Sequence, residues 1–186
     1  MNPPPATLPP LIGFCGPAGA GKTTAALIAS GAWEQCHRIS FADPIRRMLS
    51  CLGLSADDLQ RDKELPHMLL GGKTPRHAMQ TLGTDWARNM IDPEIWLRVA
   101  RHQALQIMEL GGVPVFDDVR FDNEAEMIRL LGGEVIKVVR PSFSPATPAS
   151  HVSEAGVRPG LVSTTLLADN HTQLQTLLFS HFNRQQ

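Results

Sequence analysis

The sequence predicts an α/β protein in which a parallel sheet of about five strands carries helices on both faces, forming three layers. Two observations favour this fold. Short apolar runs alternate along the chain with segments of helical composition, which is the pattern of parallel strands joined by crossover helices. In addition, the first apolar run leads directly into a glycine-rich loop and then a helix, an order that many α/β proteins use to build a ligand site.

The individual elements follow from local signals. Apolar runs predict strands at 11–15, 37–42, 113–117, 134–139 and 166–169. A capping residue followed by proline marks the start of three helices, at Asp43-Pro44, Thr74-Pro75 and Asp92-Pro93. Helices are therefore predicted at 22–32, 44–52, 75–89, 93–110, 122–131 and 172–182, with a shorter one from Ser55.

Length and composition fit one globular domain. The chain has 186 residues, of which 42% are hydrophobic and 19% charged, as is ordinary for such a protein. The formal net charge of −1 argues against a broad nucleic-acid binder, which would carry a basic excess, so we expect no stable nucleic-acid binding. Residues 1–10 contain five prolines and are expected to be disordered, whereas 11–186 should form the single domain.

The sequence indicates neither a membrane segment nor an oxidising compartment. No stretch approaches the roughly 20 apolar residues of a transmembrane helix, and residues 1–10 lack the features of a signal peptide. The cysteines, Cys15, Cys36 and Cys51, are odd in number and show no C-x-x-C spacing, which favours reduced thiols. We expect a cytoplasmic protein without membrane contact, and the sequence leaves open whether it forms a homodimer.

Residues 16–23, Gly-Pro-Ala-Gly-Ala-Gly-Lys-Thr, match the phosphate-loop pattern G-x-x-x-x-G-K-[ST] in full. Glycines let consecutive backbone N–H groups turn towards a phosphate, and the helix N-terminus adds its positive dipole end. Lys22 can bridge the β- and γ-phosphates of a nucleoside triphosphate, and the Thr23 hydroxyl can bind Mg²⁺. We predict a P-loop kinase fold that binds ATP and Mg²⁺ through Gly16, Ala18, Gly19, Ala20, Gly21, Lys22, Thr23 and Thr24.

A second group of charged residues follows the third apolar run. Asp117 and Asp118 stand at its end, and strand ends in a parallel sheet open onto the ligand site. One of these carboxylates is expected to hold the hydration shell of Mg²⁺; the alternative is a helix cap or a solvated turn. Arg120 reaches the same edge and could offset charge on a transferred phosphoryl group. Sequence order alone does not select among the other candidate arginines, which are Arg46, Arg47, Arg76, Arg88 and Arg140.

Over about residues 11–174, these motifs and their order resemble those of the bacteriophage-type deoxynucleoside monophosphate kinases. The phosphate loop is shared by many families. More specific is the block Asp-Asp-Val-Arg-Phe-Asp-Asn-Glu-Ala at 117–125, followed by Val-Val-Arg at 138–140 and His-Val-Ser-Glu at 151–154. The resemblance also covers Phe-Ala-Asp-Pro at 41–44, positions between Thr74 and Arg88, Asp92-Pro93 with Trp96, and Gly132-Gly133.

This resemblance implies transfer of the γ-phosphoryl group of ATP to a deoxynucleoside 5′-monophosphate, giving the diphosphate for DNA precursor synthesis. Small-molecule nucleotides would be the partners, in the host cytoplasm if a phage encodes the protein. The resemblance also implies an acceptor-binding insertion at about 43–92 and a lid at about 141–153. The lid holds no arginine between Pro141 and Ser150, so Arg140 and Arg158, which flank it, both stay candidates for the lid arginine.

The resemblance assigns roles to individual positions. Asp118 would serve the metal together with Thr23, and the residues implied in catalysis are Lys22, Asp118, Arg120 and Arg140. Glu154 would close the far side of the lid loop together with His151 and Ser153. The residues implied in acceptor binding are Asp43, Arg46, Arg76, Gln80, Arg88 and Glu154. Trp86 could stack on a base, or it could be a core aromatic residue.

Two other functions stay open. A kinase of another small phosphorylated acceptor would share this pattern, because the acidic block, the later arginine and the Ser-Glu pair also resemble animal-type phosphomevalonate kinases. Dephospho-coenzyme A kinases share the general layout more loosely. A P-loop ATPase switch acting on nucleic acid would share the phosphate loop, but its strand normally ends in Asp-Glu, whereas this strand ends in Asp-Asp.

Overall fold

The computed structural model describes residues 8–142 and 156–183. Over these residues the chain forms a five-stranded sheet in which every neighbouring pair of strands is parallel, together with seven α-helices. Parallel neighbours require crossover connections, and the alternation of strands with helices supplies them. The predicted α/β fold class is confirmed.

Strand β1 lies at the centre of the sheet. The strands are β1 Ile12–Cys15, β2 Cys36–Ile39, β3 Val113–Val119, β4 Glu134–Val139 and β5 Thr164–Leu167, in the spatial order β2-β3-β1-β4-β5. The register aligns Cys15 of β1 with Val119 of β3 and with Lys137 of β4. Because parallel strands end at the same edge of a sheet, the phosphate loop, Arg120 and Arg140 all emerge at this edge.

The α-helices are α1 Lys22–Ala32, α2 Asp43–Ser50, α3 Ala56–Gln60, α4 Pro75–Gln80, α5 Ile95–Glu109, α6 Asp122–Leu130 and α7 His171–Asn183. Two of the predicted caps are present, because the Ser55 and Thr74 hydroxyls accept backbone N–H groups of α3 and α4 at 3.2 and 3.1 Å. The predicted cap at Asp43 is wrong: α2 starts at Asp43 itself, and Ala42 occupies the cap position.

Alternate residues of β1 face opposite helical layers. Ile12 and Phe14 are fully buried in a core that includes residues of α1 and α7. A side chain at Gly13 would instead meet Ile128 of α6 at 2.5 Å, so α6 covers the other face. The absence of a side chain at Gly13 lets α6 approach closely, and the sheet therefore carries helices on both faces, as predicted.

The helix predicted at 75–89 has two parts. After α4 the winding widens into a π-helical segment, Thr81–Ile91, so the prediction of one regular helix was wrong. The indole N–H of Trp96 donates to the carbonyl oxygen of Gly83 at 2.8 Å, and the backbone N–H of Asp92 bonds the carbonyl of Ala87 at 2.9 Å. A side chain that occupies a helix carbonyl disturbs the regular ladder and favours wider turns.

The chain divides into two compact units. The first, called here the sheet unit, comprises Met1–Ser40 and Ala100–Gln186, and the second, the helical unit, comprises Phe41–Val99. Each has its own core, and that of the helical unit is formed by Ile45, Leu49, Leu54, Leu59, Ala87 and Trp96. The expected single domain with an insertion at 43–92 stays a prediction. Among the described residues, no helix has both the length and the apolar character needed to cross a membrane.

Candidate active site

The phosphate loop holds three glycines in a left-handed backbone conformation. Gly16, Gly19 and Gly21 have φ angles of 132°, 75° and 100°, which residues with a side chain rarely adopt. Space is a second constraint at Gly16, where a Cβ atom would lie 2.2 Å from the carbonyl oxygen of Val138 in β4. The loop is thus packed directly against the neighbouring strand, and backbone geometry explains its glycines.

The loop is partly accessible to solvent. Exposure varies along it: exposed residues are Pro17, Ala18, Gly19 and Thr23, partly buried ones are Gly16, Gly21, Lys22 and Thr24, and Ala20 is buried. Helix α1 has no acidic side chain in its first turn. The first N–H groups of a helix lack intrahelical partners and carry partial positive charge, so this end of α1 suits an anion such as phosphate.

Lys22 folds back onto the loop that it follows. Its Nζ donates to the carbonyl oxygens of Gly16 at 2.8 Å and Pro17 at 2.7 Å. The pKa of Lys22 is lowered to about 8, first by burial and then by the positive charge of Arg120, whereas Cys15, Asp118 and Asp117 act in the opposite direction. The structure therefore brings Lys22, Arg120 and the two aspartates together at one edge of the sheet.

The adjacent carboxylates of β3 have different surroundings. Asp117 is 5% exposed, and its Oδ2 lies 3.2 Å from the Nε of Arg38 in β2. Asp118 is half-buried and accepts a hydrogen bond of 2.5 Å from the hydroxyl of Ser40, the residue after β2. Strand β3 runs two residues further than predicted, so both aspartates lie within it. Asp118 is the member of the pair that solvent reaches more easily.

Glu124 fixes the turn from which Arg120 projects. Its carboxylate accepts hydrogen bonds from the backbone N–H groups of Arg120 at 2.8 Å and Phe121 at 3.1 Å, and Glu124 is 5% exposed. Hydrogen bonds to an ionised acceptor are stronger than those between neutral groups. The backbone of Arg120 is therefore anchored, while its side chain is exposed at the strand edge.

The two candidate lid arginines differ in their contacts. Arg140 follows β4 directly and is exposed. Arg158 is held on α6, where its guanidinium lies 2.5 Å from Asp122 and 2.7 Å from Glu126. The predicted lid at 141–153 lies outside the described residues except for Pro141 and Ser142, and so do His151, Ser153 and Glu154.

The candidate acceptor residues lie in the helical unit, and some form ion pairs there. Arg46 donates to Asp43 at 2.8 Å within α2, and Arg76 pairs with Glu64. Gln80 is exposed and Arg88 is half-buried. Arg76 and Gln80 are four residues apart in α4, which places their side chains on one side of that helix, whereas Arg88 lies in the π-helical segment.

A cavity of about 580 Å³ opens in the helical unit. Its lining comes from α2, the turn at 68–70, α4 and the π-helical segment, and comprises Met48, Leu49, Leu52, Leu70, Lys73, His77, Ala78, Thr81, Leu82 and Trp86. Gln80, Arg76 and Arg88 are not among these residues. Trp86 is 38% exposed and belongs to this cavity, so the structure groups it with an apolar lining rather than with the candidate phosphate-binding side chains.

Three residues at the sheet edge had no role in the sequence-based prediction. For Glu124, a signal was present, because a glutamate in the first turn of a helix often accepts N–H groups from the residues before that helix. For Arg38 and Ser40, no local pattern could have given a signal. Ser40 lies 78 positions before the aspartate that it contacts, and only strand pairing brings them together.

Comparison with known proteins is consistent with these motifs. A family model for deoxynucleotide monophosphate kinase matches residues 72–179. A protein of Acanthamoeba polyphaga mimivirus, provisionally named deoxynucleotide monophosphate kinase, is 34% identical over 175 residues, covering 87% of this chain and 89% of the viral protein. The deoxynucleotide monophosphate kinase of Enterobacteria phage T4 is 34% identical over 83 residues, covering 44% of this chain and 34% of the phage protein.

Proposed function

This chain belongs to the deoxynucleotide monophosphate kinase family, and from that premise we propose that it transfers the γ-phosphoryl group of ATP to a deoxynucleoside 5′-monophosphate. Membership of the family makes it a nucleotide kinase. The observation that carries the finer proposal is the loop at 16–23, in which three left-handed glycines lead into the start of α1, an arrangement that suits a bound phosphate.

On this proposal, Lys22 exchanges acceptors when ATP binds. In the structure its ammonium donates to the carbonyl oxygens of Gly16 and Pro17, and the β- and γ-phosphate oxygens of ATP would take over these hydrogen bonds. Because the ammonium is largely removed from water, its attraction to phosphate is stronger than at an open surface. The lowered pKa of Lys22 is the electrostatic consequence of that burial.

The residues at the sheet edge fit a magnesium ion bound with ATP. Mg²⁺ prefers oxygen ligands and is commonly held by one or two protein groups together with substrate phosphates. The exposed hydroxyl of Thr23 and the half-buried carboxylate of Asp118 supply such oxygens and would hold the ion. When bound, Mg²⁺ would neutralise negative charge on the phosphates.

Charge neutralisation and alignment would do most of the catalytic work. An oxygen of the acceptor phosphate forms the new bond to the γ-phosphorus while the bond from that phosphorus to the β–γ bridging oxygen breaks, releasing ADP. That acceptor oxygen is already ionised at neutral pH, so no strong general base is needed. We assign Arg120 and Arg140 to the charge that develops on the phosphoryl group during transfer.

We assign acceptor binding to residues of the helical unit, with Glu154 added from the segment outside the described residues. Guanidinium groups bind phosphate with paired hydrogen bonds, and Arg46, Arg76 and Arg88 supply three of them. The proposed acceptor-binding residues are Asp43, Arg46, Arg76, Gln80, Arg88 and Glu154. For Arg46 and Arg76, binding of the acceptor would compete with their carboxylate partners, Asp43 and Glu64.

A coupled ADP-release assay tests this proposal. The purified protein, with ATP and MgCl₂, should form ADP only when a suitable monophosphate is added, and the panel should contain all natural deoxynucleoside and ribonucleoside 5′-monophosphates. Phosphomevalonate and dephospho-coenzyme A test the alternative acceptors. ADP formation stimulated by DNA, with no response to any monophosphate, would contradict the proposal in favour of an ATPase switch.

A further inference from the structure

Two side chains from β2 and its end contact the neighbouring carboxylates of β3. The Nε of Arg38 lies 3.2 Å from Oδ2 of Asp117, and the Ser40 hydroxyl donates to Oδ2 of Asp118 at 2.5 Å. Ser40 is 1% exposed and Asp117 5%, whereas Asp118 is only half-buried. One carboxylate is therefore buried beside a guanidinium, and the other is accessible and held by a buried hydroxyl.

These different contacts have different electrostatic consequences. The guanidinium of Arg38 compensates the negative charge of Asp117, which a buried carboxylate requires. The hydroxyl of Ser40 is neutral, so its hydrogen bond orients the carboxylate of Asp118 without cancelling the charge. Groups that hydrogen-bond a metal-binding carboxylate fix its orientation and tune metal affinity.

We propose that Ser40 is a positioning residue that holds the carboxylate of Asp118 in the orientation needed for the Mg²⁺ of the nucleotide complex. This inference rests on the proposed function, in which Asp118 serves the metal. The contact between Arg38 and Asp117 has the complementary role, since it stabilises the second carboxylate within the sheet. The two aspartates of β3 thus divide into a metal-facing group and a structural group.

Binding of Mn²⁺ to the full chain in the presence of ADP, measured by electron paramagnetic resonance, tests the inference without turnover. Ser40→Ala removes the hydroxyl and should weaken Mn²⁺ binding about tenfold, while ADP affinity without metal stays the same. Ser40→Thr keeps a hydroxyl and should restore most of the affinity. Ser30→Ala is the matched control, because the Ser30 hydroxyl bonds the carbonyl of Ala26 within α1 at 2.9 Å; it should leave Mn²⁺ binding unchanged.

A double-mutant cycle separates positioning from general destabilisation. If Ser40 acts through Asp118, then Ser40→Ala should add no further loss of Mn²⁺ affinity in the Asp118→Asn background. Equal losses in both backgrounds, or unchanged Mn²⁺ binding by Ser40→Ala, would overturn the inference. Should Ser40→Ala not fold, Ser40→Cys carries the same test, because its thiol fills the buried position but is a much weaker hydrogen-bond donor than the hydroxyl.

Failure of the proposed function gives a different result. In that case the wild-type protein forms no ADP with any deoxynucleoside monophosphate, while the comparison of Mn²⁺ binding between wild type and Ser40→Ala still decides the role of Ser40. Conversely, the wild-type protein could be an active kinase while the Ser40→Ala variant binds Mn²⁺ normally. The proposed function would then stand, and this inference would be wrong.

Discussion

In the sheet unit, the residues proposed to bind ATP all lie in one short stretch of the chain, between Gly16 and Thr24, and most would act through their backbone. In the helical unit, the residues proposed to bind the acceptor come from α2, α4 and the π-helical segment, and they act through side chains. Arg46 and Arg76 already pair with carboxylates there. The first group is shaped in advance by backbone conformation, whereas the second would exchange partners when its ligand binds.

This difference separates two kinds of functional loss. A change in the phosphate loop should affect donor binding and the transfer step, because the loop has few alternative conformations. A change among the arginines of the helical unit should mainly affect the Michaelis constant of the acceptor. Variants in the phosphate loop should therefore lower kcat more than they change the acceptor KM. Variants of the arginines in the helical unit should raise the acceptor KM more than they lower kcat.

Lys22→Ala should have the largest effect. Removal of the ammonium that organises the triphosphate should lower kcat by about 10²–10³-fold, the range observed when a preorganised charge-stabilising donor is lost. The fold should persist, because folding removes this ammonium from water at a cost. A coupled ADP-release assay and circular dichroism check both points, with Lys73→Ala in the helical unit as control. Turnover unchanged in Lys22→Ala would refute the assigned role.

Gly16→Ala tests whether the loop is fixed by backbone geometry. The added Cβ would meet the carbonyl oxygen of Val138 at 2.2 Å, at a φ angle of 132°, so the free energy of unfolding should fall by about 1–3 kcal/mol and nucleotide binding should be lost. Gly31→Ala is the matched control, since nothing lies within 4 Å of its Cβ. As a helix substitution it should stabilise by about 0.5–1 kcal/mol. Chemical denaturation and nucleotide titration measure both variants.

Arg76→Ala probes the helical unit. It should raise the acceptor KM by about tenfold or more, which corresponds to losing one charged hydrogen-bonding group, and the KM of ATP should change far less. Arg61→Ala is the control, because Arg61 pairs with Asp57 and Asp62 on the same unit and has no assigned role. Equal changes in both Michaelis constants for Arg76→Ala would reject the acceptor assignment.

The pH dependence of nucleotide affinity should show a smaller effect, and it tests Lys22 specifically. Since the pKa of Lys22 is lowered from 10.5 to about 8, the unliganded protein loses this proton above pH 8, whereas bound phosphates favour the ammonium. Binding of Mg·ATP should therefore take up a proton, and its Kd should rise by up to about tenfold per pH unit above 8. Calorimetry in buffers of different ionisation enthalpy measures this uptake.

Two variants and one stability measurement sharpen the pH test. Lys22→Ala should abolish the dependence, and Arg120→Ala should move its midpoint to higher pH, because the charge of Arg120 helps to lower the pKa of Lys22. Without nucleotide, the unfolded chain binds more protons than the folded one between pH 8 and 10.5, so stability should rise with pH across this window. A flat profile for wild-type binding would show that Lys22 does not titrate there.

Local sequence signals were sufficient for most of the fold. Apolar runs and caps located all five strands and most helices to within a few residues, because these signals act between residues close in the chain. They failed at Thr81–Ile91, where Trp96 bonds the carbonyl of Gly83 from 13 positions away and the winding widens. They also placed the end of β3 too early, since charged residues suggested a loop where strand pairing continues to Val119.

The candidate site divides in the same way. The sequence by itself predicted the phosphate loop, because its whole motif lies in consecutive residues, 16–23, and the structure adds that its three glycines have positive φ angles. Only the tertiary structure decided how Asp117 and Asp118 differ and that Trp86 lines an apolar cavity. The first property depends on Arg38 in the neighbouring strand β2 and on Ser40 just after it, and the second depends on packing between helices. Contacts of both kinds join residues far apart in the chain, so no local sequence pattern indicates them.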